Sequence, residues 1–163
     1  MKKHSFEART MVFVDLENGC GGSRLVPEFH KGVRGAIDRQ VAGSKPLIVY
    51  STGPEARWHC PTLLWEWRDA RFLHASGIDG ADNALLEAML AEPCAWRSDR
   101  VILVSGDHAF VAGVSQLRER GIHVTVMARP GTLSYELARI ASRVVWLPTN
   151  FDEPATNEMR KSA

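Results

Sequence analysis

Between Met11 and Leu147, short runs of apolar and β-branched residues alternate with longer segments whose apolar positions recur every three or four residues. That alternation is the mark of βα units around a mostly parallel sheet. The first run, Met11-Val12-Phe13-Val14, is too short and too β-branched for a helix, so it reads as a strand ending at Asp15-Leu16-Glu17-Asn18. Gly19-Cys20-Gly21-Gly22-Ser23 then reads as a loop. From Pro27 to about Val41, the residues Phe29, Val33, Ile37 and Val41 fall on one helical face, with Pro27 in the first turn. Leu47-Ile48-Val49-Tyr50 is the second strand.

Between Gly53 and Ala70 the periodicity weakens and tryptophans accumulate, with a helix expected from Pro61 to Asp69 and a short strand at Phe72-Leu73-His74. Gly77 to Asp82 leads into the strong helix formers Asn83 to Leu90, which are expected to stop before Pro93. Val101-Ile102-Leu103-Val104 is the most apolar segment and is placed at the sheet centre. After Ser105-Gly106-Asp107, a helix from about Ala109 carries Phe110, Val114 and Leu117 on one face and is capped at Gly121. Ile122 to Met127 is a fifth strand, Ser134 to Ala141 a helix, and Val144 to Leu147 a last strand that closes the sheet. The expected organisation is an N-terminal extension over 1–10, one three-layer α/β/α domain over 11–147, and a polar, loose tail over 148–163.

Composition narrows the class. The chain has 163 residues, 45% hydrophobic and 24% charged, enough for a two-sided core without staples. Twenty Lys+Arg against 19 Asp+Glu leave a formal net charge of +1, so nucleic-acid binding would have to rest on a local patch. Cys20, Cys60 and Cys94 form no C-x-x-C pair, which fits reduced thiols rather than a disulfide scaffold. No apolar run approaches the ~18 residues of a membrane span, so a cytoplasmic protein with no membrane partner is expected. A homodimer is compatible with the sequence.

The candidate chemistry is acidic. In open parallel sheets, ligands bind beyond the carboxyl ends of the strands, where the strand order reverses. Asp15 ends the first strand, Asp107 follows the fourth, and Asp82 stands in the first turn of the helix between them. If strands one and four are neighbours, the three carboxylates converge on one crevice. Clustered carboxylates repel, and a divalent cation would neutralise them; oxygen-only ligands favour Mg²⁺ or Mn²⁺ over zinc. Each acid also has a plain structural reading, since Asp79, Asp82 or Asp107 could serve as a helix cap. Asp15 is the hardest to explain that way, because an unpaired carboxylate at an apolar strand end costs several kcal/mol.

Val12-Phe13-Val14-Asp15-Leu16-Glu17-Asn18 resembles the opening strand and D-x-x-N of NYN domains, in the PIN-like ribonuclease superfamily. Gly80-Ala81-Asp82-Asn83-Ala84-Leu85-Leu86 is similar to their second acidic block, and Val101 to Phe110 to their strand-S-G-D-x-D-F block. Leu117 to Val124 and Leu133 to Leu137 fit the closing βαβ pattern, so the resemblance spans about residues 11–147. It implies a metal-dependent endoribonuclease, with Asp15, Asp82 and Asp107 holding Mg²⁺ or Mn²⁺ and Asn18 orienting a ligand or the scissile phosphate. The chain departs from the common pattern at Ala109, where a second acid often follows S-G-D. That departure motivates the alternative of a catalytically weak nucleic-acid-binding or regulatory module. His108, beside Asp107, could serve proton transfer or bind phosphate.

Other motifs lose on inspection. Gly19-Cys20-Gly21-Gly22-Ser23-Arg24 lacks the third glycine of a dinucleotide fingerprint and no G-K-[ST] follows a glycine loop. A haloacid-dehalogenase-type phosphatase remains a minor alternative, with Glu17 a methylene too long for the second acid. His59-Cys60 has no partner at zinc spacing, and Ser105 has no His and Asp partners for nucleophilic chemistry. In the stretch Arg57-Trp58-His59 to Trp65-Glu66-Trp67-Arg68, Leu63, Leu64, Trp65 and Trp67 read as core. Trp58 lies outside the periodic segment and is a candidate to stack on an unpaired base. For RNA, expected to be single-stranded, the candidate contacts are Ser105, His108, Arg57, Trp58 and Arg129, with Arg57, Arg68 and Arg129 expected to rim the crevice.

Overall fold

The structure, a computed structural model, describes residues 9–22, 25–53, 61–149 and 158–159. The strands are β1 Thr10–Asp15, β2 Leu47–Ser51, β3 Arg71–Leu73, β4 Arg100–Val104, β5 His123–Ala128, β6 Arg143–Trp146 and β7 Glu158–Met159. The helices are α1 Leu16–Cys20, α2 Pro27–Gln40, α3 Pro61–Glu66, α4 Gly80–Ala95, α5 Val111–Glu119 and α6 Tyr135–Ile140, with a 3₁₀ turn at His108–Phe110 before α5. They form one sheet in the order β3-β2-β1-β4-β5-β6-β7. Every pairing from β3 to β6 is parallel, and β7 alone pairs antiparallel, on β6.

The two faces of the sheet are both buried, as continuous apolar strands require. Val12, Val14, Ile48, Tyr50, Ile102 and Val104 pack against Leu16, Val33, Ile37, Leu63 and Trp67 of the α1–α3 layer. The alternate residues Phe13, Val49, Leu103 and Val126 pack against Leu85, Met89, Val114, Leu117 and Leu137 of the α4–α6 layer. The result is the expected three-layer α/β/α fold, with β4 at the centre of the sheet order. No helix among the described residues is long and apolar enough to cross a membrane.

The structure differs from the sequence expectations in four places. Leu16–Cys20, read partly as loop, is a short helix, because Asp15 caps it and Gly21 closes it in the left-handed region at φ 81°. α4 does not stop before Pro93 but runs to Ala95. Proline removes only the bond to the carbonyl four residues back. The last turn still closes through Trp96 N–H to the Glu92 carbonyl at 2.9 Å, and the Arg120 guanidinium donates to the Leu90 carbonyl at 2.8 Å. β6 is not the sheet edge, since the tail contributes β7. Leu63 of α3 and Trp67 just after it are buried, whereas Leu64 and Trp65 are exposed. A helix this short has one covered face, and Trp65 instead lies beneath the Arg68 guanidinium, 4.7 Å from its ring centroid.

Candidate functional site

The chain leaves β1 toward β2 and β3 on one side and returns at β4 to build β5 and β6 on the other. The strand order therefore reverses between β1 and β4, and the crevice beyond their carboxyl ends is the topological switch point. Asp15 is the last residue of β1, and Ser105-Gly106-Asp107 follows β4 directly. α4 begins at the same end of the sheet, after the β3 connection, and carries Asp82 in its first turn.

A hydrogen-bond network fixes the two strand ends. The Ser105 hydroxyl donates to Asp15 Oδ2 at 3.0 Å and accepts from the Asp107 backbone N–H at 3.1 Å. Asp15 Oδ1 accepts from Asn18 N–H at 3.2 Å, and Asn18 Oδ1 accepts from Gly106 N–H at 2.9 Å. Ser105, considered for nucleophilic or phosphate roles, is thus a buried brace between the two aspartates. Asp107 Oδ1 accepts from Ala109 N–H at 2.9 Å, so Asp15 and Asp107 do cap the turns that follow them. Asp79 occupies the cap position of α4 at φ 56° without a capping bond, and the Asp82 carboxylate accepts no hydrogen bond among the described residues.

The electrostatics mark these acids out. Burial, then the neighbouring Asp82 and Glu17 charges, push Asp15 up to about 7 against the bonds from Asn18 and Ser105. Burial, then Asp107, Asp79 and Glu17, raise Asp82 above the ordinary carboxylate range. The charges of Asp15, Asp82 and Asp107 are thereby coupled, and no lysine or arginine among the described residues forms an ion pair with any of them. The side chains are not, however, gathered into a ready ligand set. Among the described residues, no three His, Cys, Asp or Glu side chains form a group that could hold a metal ion.

Glu17 is the residue whose part the sequence reading missed. Its Oε1 accepts from Gly53 N–H at 2.7 Å and from the Thr52 hydroxyl at 3.2 Å, tying the β1–α1 turn to the end of β2. A Cβ at Gly53 would stand 2.6 Å from that oxygen, so a larger residue there would push the Glu17 carboxylate out of its bond. The only sequence signal was an acid two residues after Asp15. Ser51, paired in register with Asp15, has a buried hydroxyl with no partner among the described residues.

Among the described residues, the rim holds fewer cations than expected. Arg129 follows β5, and its guanidinium donates to the Cys20 carbonyl at 2.8 Å, closing α1 rather than reaching outward with that nitrogen. Arg68 lies in the link from α3 to the start of the parallel strand β3, at the strands' amino ends, and is engaged with Trp65, so it does not rim the crevice. His108 Nδ1 pairs with Glu136 Oε2 at 2.6 Å on the exposed lip beside Asp107. Arg57 and Trp58 lie outside the described residues.

The fold and the family both have counterparts. A protein of unknown function from Vibrio parahaemolyticus, known from a crystal structure, shares the fold at a TM-score of 0.58 and 20% identity, over 89% of this chain and 96% of that one. No curated protein matches the chain significantly. The NYN domain family model matches residues 9–148, which include both strand-end aspartates, Asp82 and the braces that hold them. On that match, the chain belongs to the NYN domain family, a nuclease-like family.

Proposed function

We propose that this protein is a divalent-metal-dependent endoribonuclease acting on single-stranded RNA at the crevice between β1 and β4. The observation that carries the reading is the coupling of buried Asp15 with Asp82 and Asp107 at the switch point, without a cationic partner among the described residues. Such a cluster suits a hard cation with oxygen ligands, Mg²⁺ or Mn²⁺. Mg²⁺ keeps several waters and needs few direct carboxylate bonds, so the donor chemistry fits even though no three side chains are already gathered around one point. Asp15, Asp82 and Asp107 would hold the cation. Bound there, it would supply activation of water and neutralisation of charge developing on the phosphodiester.

The chain's own residues do the positioning. Ser105 holds Asp15 and the Asp107 backbone in one frame, and Asn18 spends its carbonyl on Gly106 while keeping its amide N–H groups for a phosphate oxygen. His108, oriented by Glu136, lies at the lip, where its ring, when protonated, can donate its second N–H to phosphate. Arg129, and Arg57 and Trp58 before α3, are further RNA contacts in this reading.

The test is cleavage of an end-labelled single-stranded RNA with Mn²⁺ and with chelator, by the wild type and by Asp107→Asn. Asn keeps the capping oxygen but removes the charge a hard cation requires. The wild type should give internal products with Mn²⁺ only, and the variant should lose about a hundredfold or more in rate at an unchanged melting temperature. RNA binding of equal strength with and without chelator, and no cleavage, would instead identify a binding module. Ala109, in place of a second acid, is the feature that reading would rest on.

A further inference from the structure

Tyr135 is the first residue of α6, and 81% of it is exposed. Isolated surface aromatics are ordinary, but the neighbours of this one on both sides contact the residues on both sides of Asp107, one through the backbone and one through side chains. Before it, Ser134 N–H donates to the Gly106 carbonyl at 2.9 Å. After it, Glu136 Oε2 pairs with His108 Nδ1 at 2.6 Å. The two loops also touch directly, since a Cβ on Gly106 would stand 2.5 Å from the Thr132 carbonyl oxygen. Ser134 further fixes the start of α6 by accepting from Leu137 N–H at 3.1 Å.

The start of α6, which carries the ring, is therefore held beside the Asp107 turn at the lip of the acidic crevice. Of the other exposed aromatics among the described residues, Trp65 lies beneath Arg68 and Trp96 is only about half exposed. Tyr135 has no ring, cation or hydroxyl partner among the described residues. Ile78, four residues before Asp82, is 94% exposed. An uncovered ring beside the Asp107 turn suits a flat heteroaromatic group joined to a phosphate.

We propose that Tyr135 is the stacking platform for an unpaired nucleobase next to the phosphate bound at Asp107, and that it makes the site selective for single-stranded over double-stranded RNA. The proposal rests on the nuclease reading and names its substrate class. A paired base keeps both faces within its own helix and cannot lie on the ring, whereas a splayed base can.

The experiment measures binding of a fluorescent single-stranded oligoribonucleotide and of the corresponding duplex to the full chain, in Ca²⁺ to neutralise the carboxylates, for the wild type, Tyr135→Ala and Tyr135→Trp. One base–aromatic stack sets the expected loss of single-strand affinity in Tyr135→Ala at roughly 5- to 150-fold. Duplex affinity should be unchanged, Tyr135→Trp should match or exceed the wild type, and all melting temperatures should agree. Single-strand affinity unchanged in Tyr135→Ala, an equal loss for duplex, or no binding by the wild type would overturn the proposal. Cleavage with Mn²⁺ is scored separately. If the stacking pattern holds and no RNA is cleaved, the nuclease reading fails while the platform stands; if RNA is cleaved and Tyr135→Ala leaves KM unchanged, the platform fails alone.

Discussion

Asp15 shows at the scale of one residue what the fold sacrifices for its site. It is the last residue of a strand buried along its whole length, and its carboxylate meets other acids rather than a base. Burial and those acids raise its pKa from 3.8 to about 7. A carboxyl raised in the folded state stabilises fully below its unfolded pKa, and that stability is lost as the pH rises through the folded value. In chelator, Asp15→Asn should therefore melt close to the wild type near pH 4 and above it at pH 8, by about 1–3 kcal/mol. Denaturant melts at both pH values decide the matter. A variant no more stable at pH 8 would show that the buried carboxylate is satisfied by Asn18 and Ser105 without help.

The helices α2 and α3 meet at a second buried polar residue, which makes a prediction about elements. His30 of α2 is fully buried, with Nε2 3.3 Å from Thr62 Oγ1 of α3 and Nδ1 without a partner among the described residues. Burial lowers its pKa below 6.5, so it is held neutral in the folded state. The unfolded chain then takes up the proton first, and stability falls as the pH drops below about 6.5, by at most about 1.4 kcal/mol per pH unit. Urea melts between pH 7.5 and 5 should show this slope in the wild type and a shallower one in His30→Gln. Parallel curves would assign the acid sensitivity elsewhere, with His123 the next candidate, since burial and Arg100 lower it too. The same packing explains what sequence pattern could and could not reveal about α3. Leu63 and Trp67 sit four residues apart and are buried, but the choice of that stripe over Leu64 and Trp65 depends on where α2 lies. α1 escaped notice because a five-residue helix has no periodicity to read, and its existence depends on the Asp15 cap and the left-handed Gly21.

For the whole molecule, the strand-helix alternation from β1 to β6 was legible because strands buried on both faces are nearly continuous apolar runs. β7 was not, since a two-residue pairing leaves no pattern and forms only where β6 offers an edge. Of the site, the strand-end positions of Asp15 and Asp107 and the helix-start position of Asp82 could be read from spacing. The bracing by Ser105 and Asn18, the reach of Glu17 to Gly53, and the use of Arg129 inside α1 depend on which strands are neighbours. The account rests on one claim, that the acids around the β1–β4 switch point exist to bind a hard cation. Anomalous diffraction at the manganese edge, from crystals soaked in Mn²⁺, tests it most directly. The account predicts a peak in that crevice within ligand distance of carboxylate oxygens of Asp15, Asp82 or Asp107, absent from Asp107→Asn; no peak there at saturating Mn²⁺, or a peak bound only elsewhere, would contradict it.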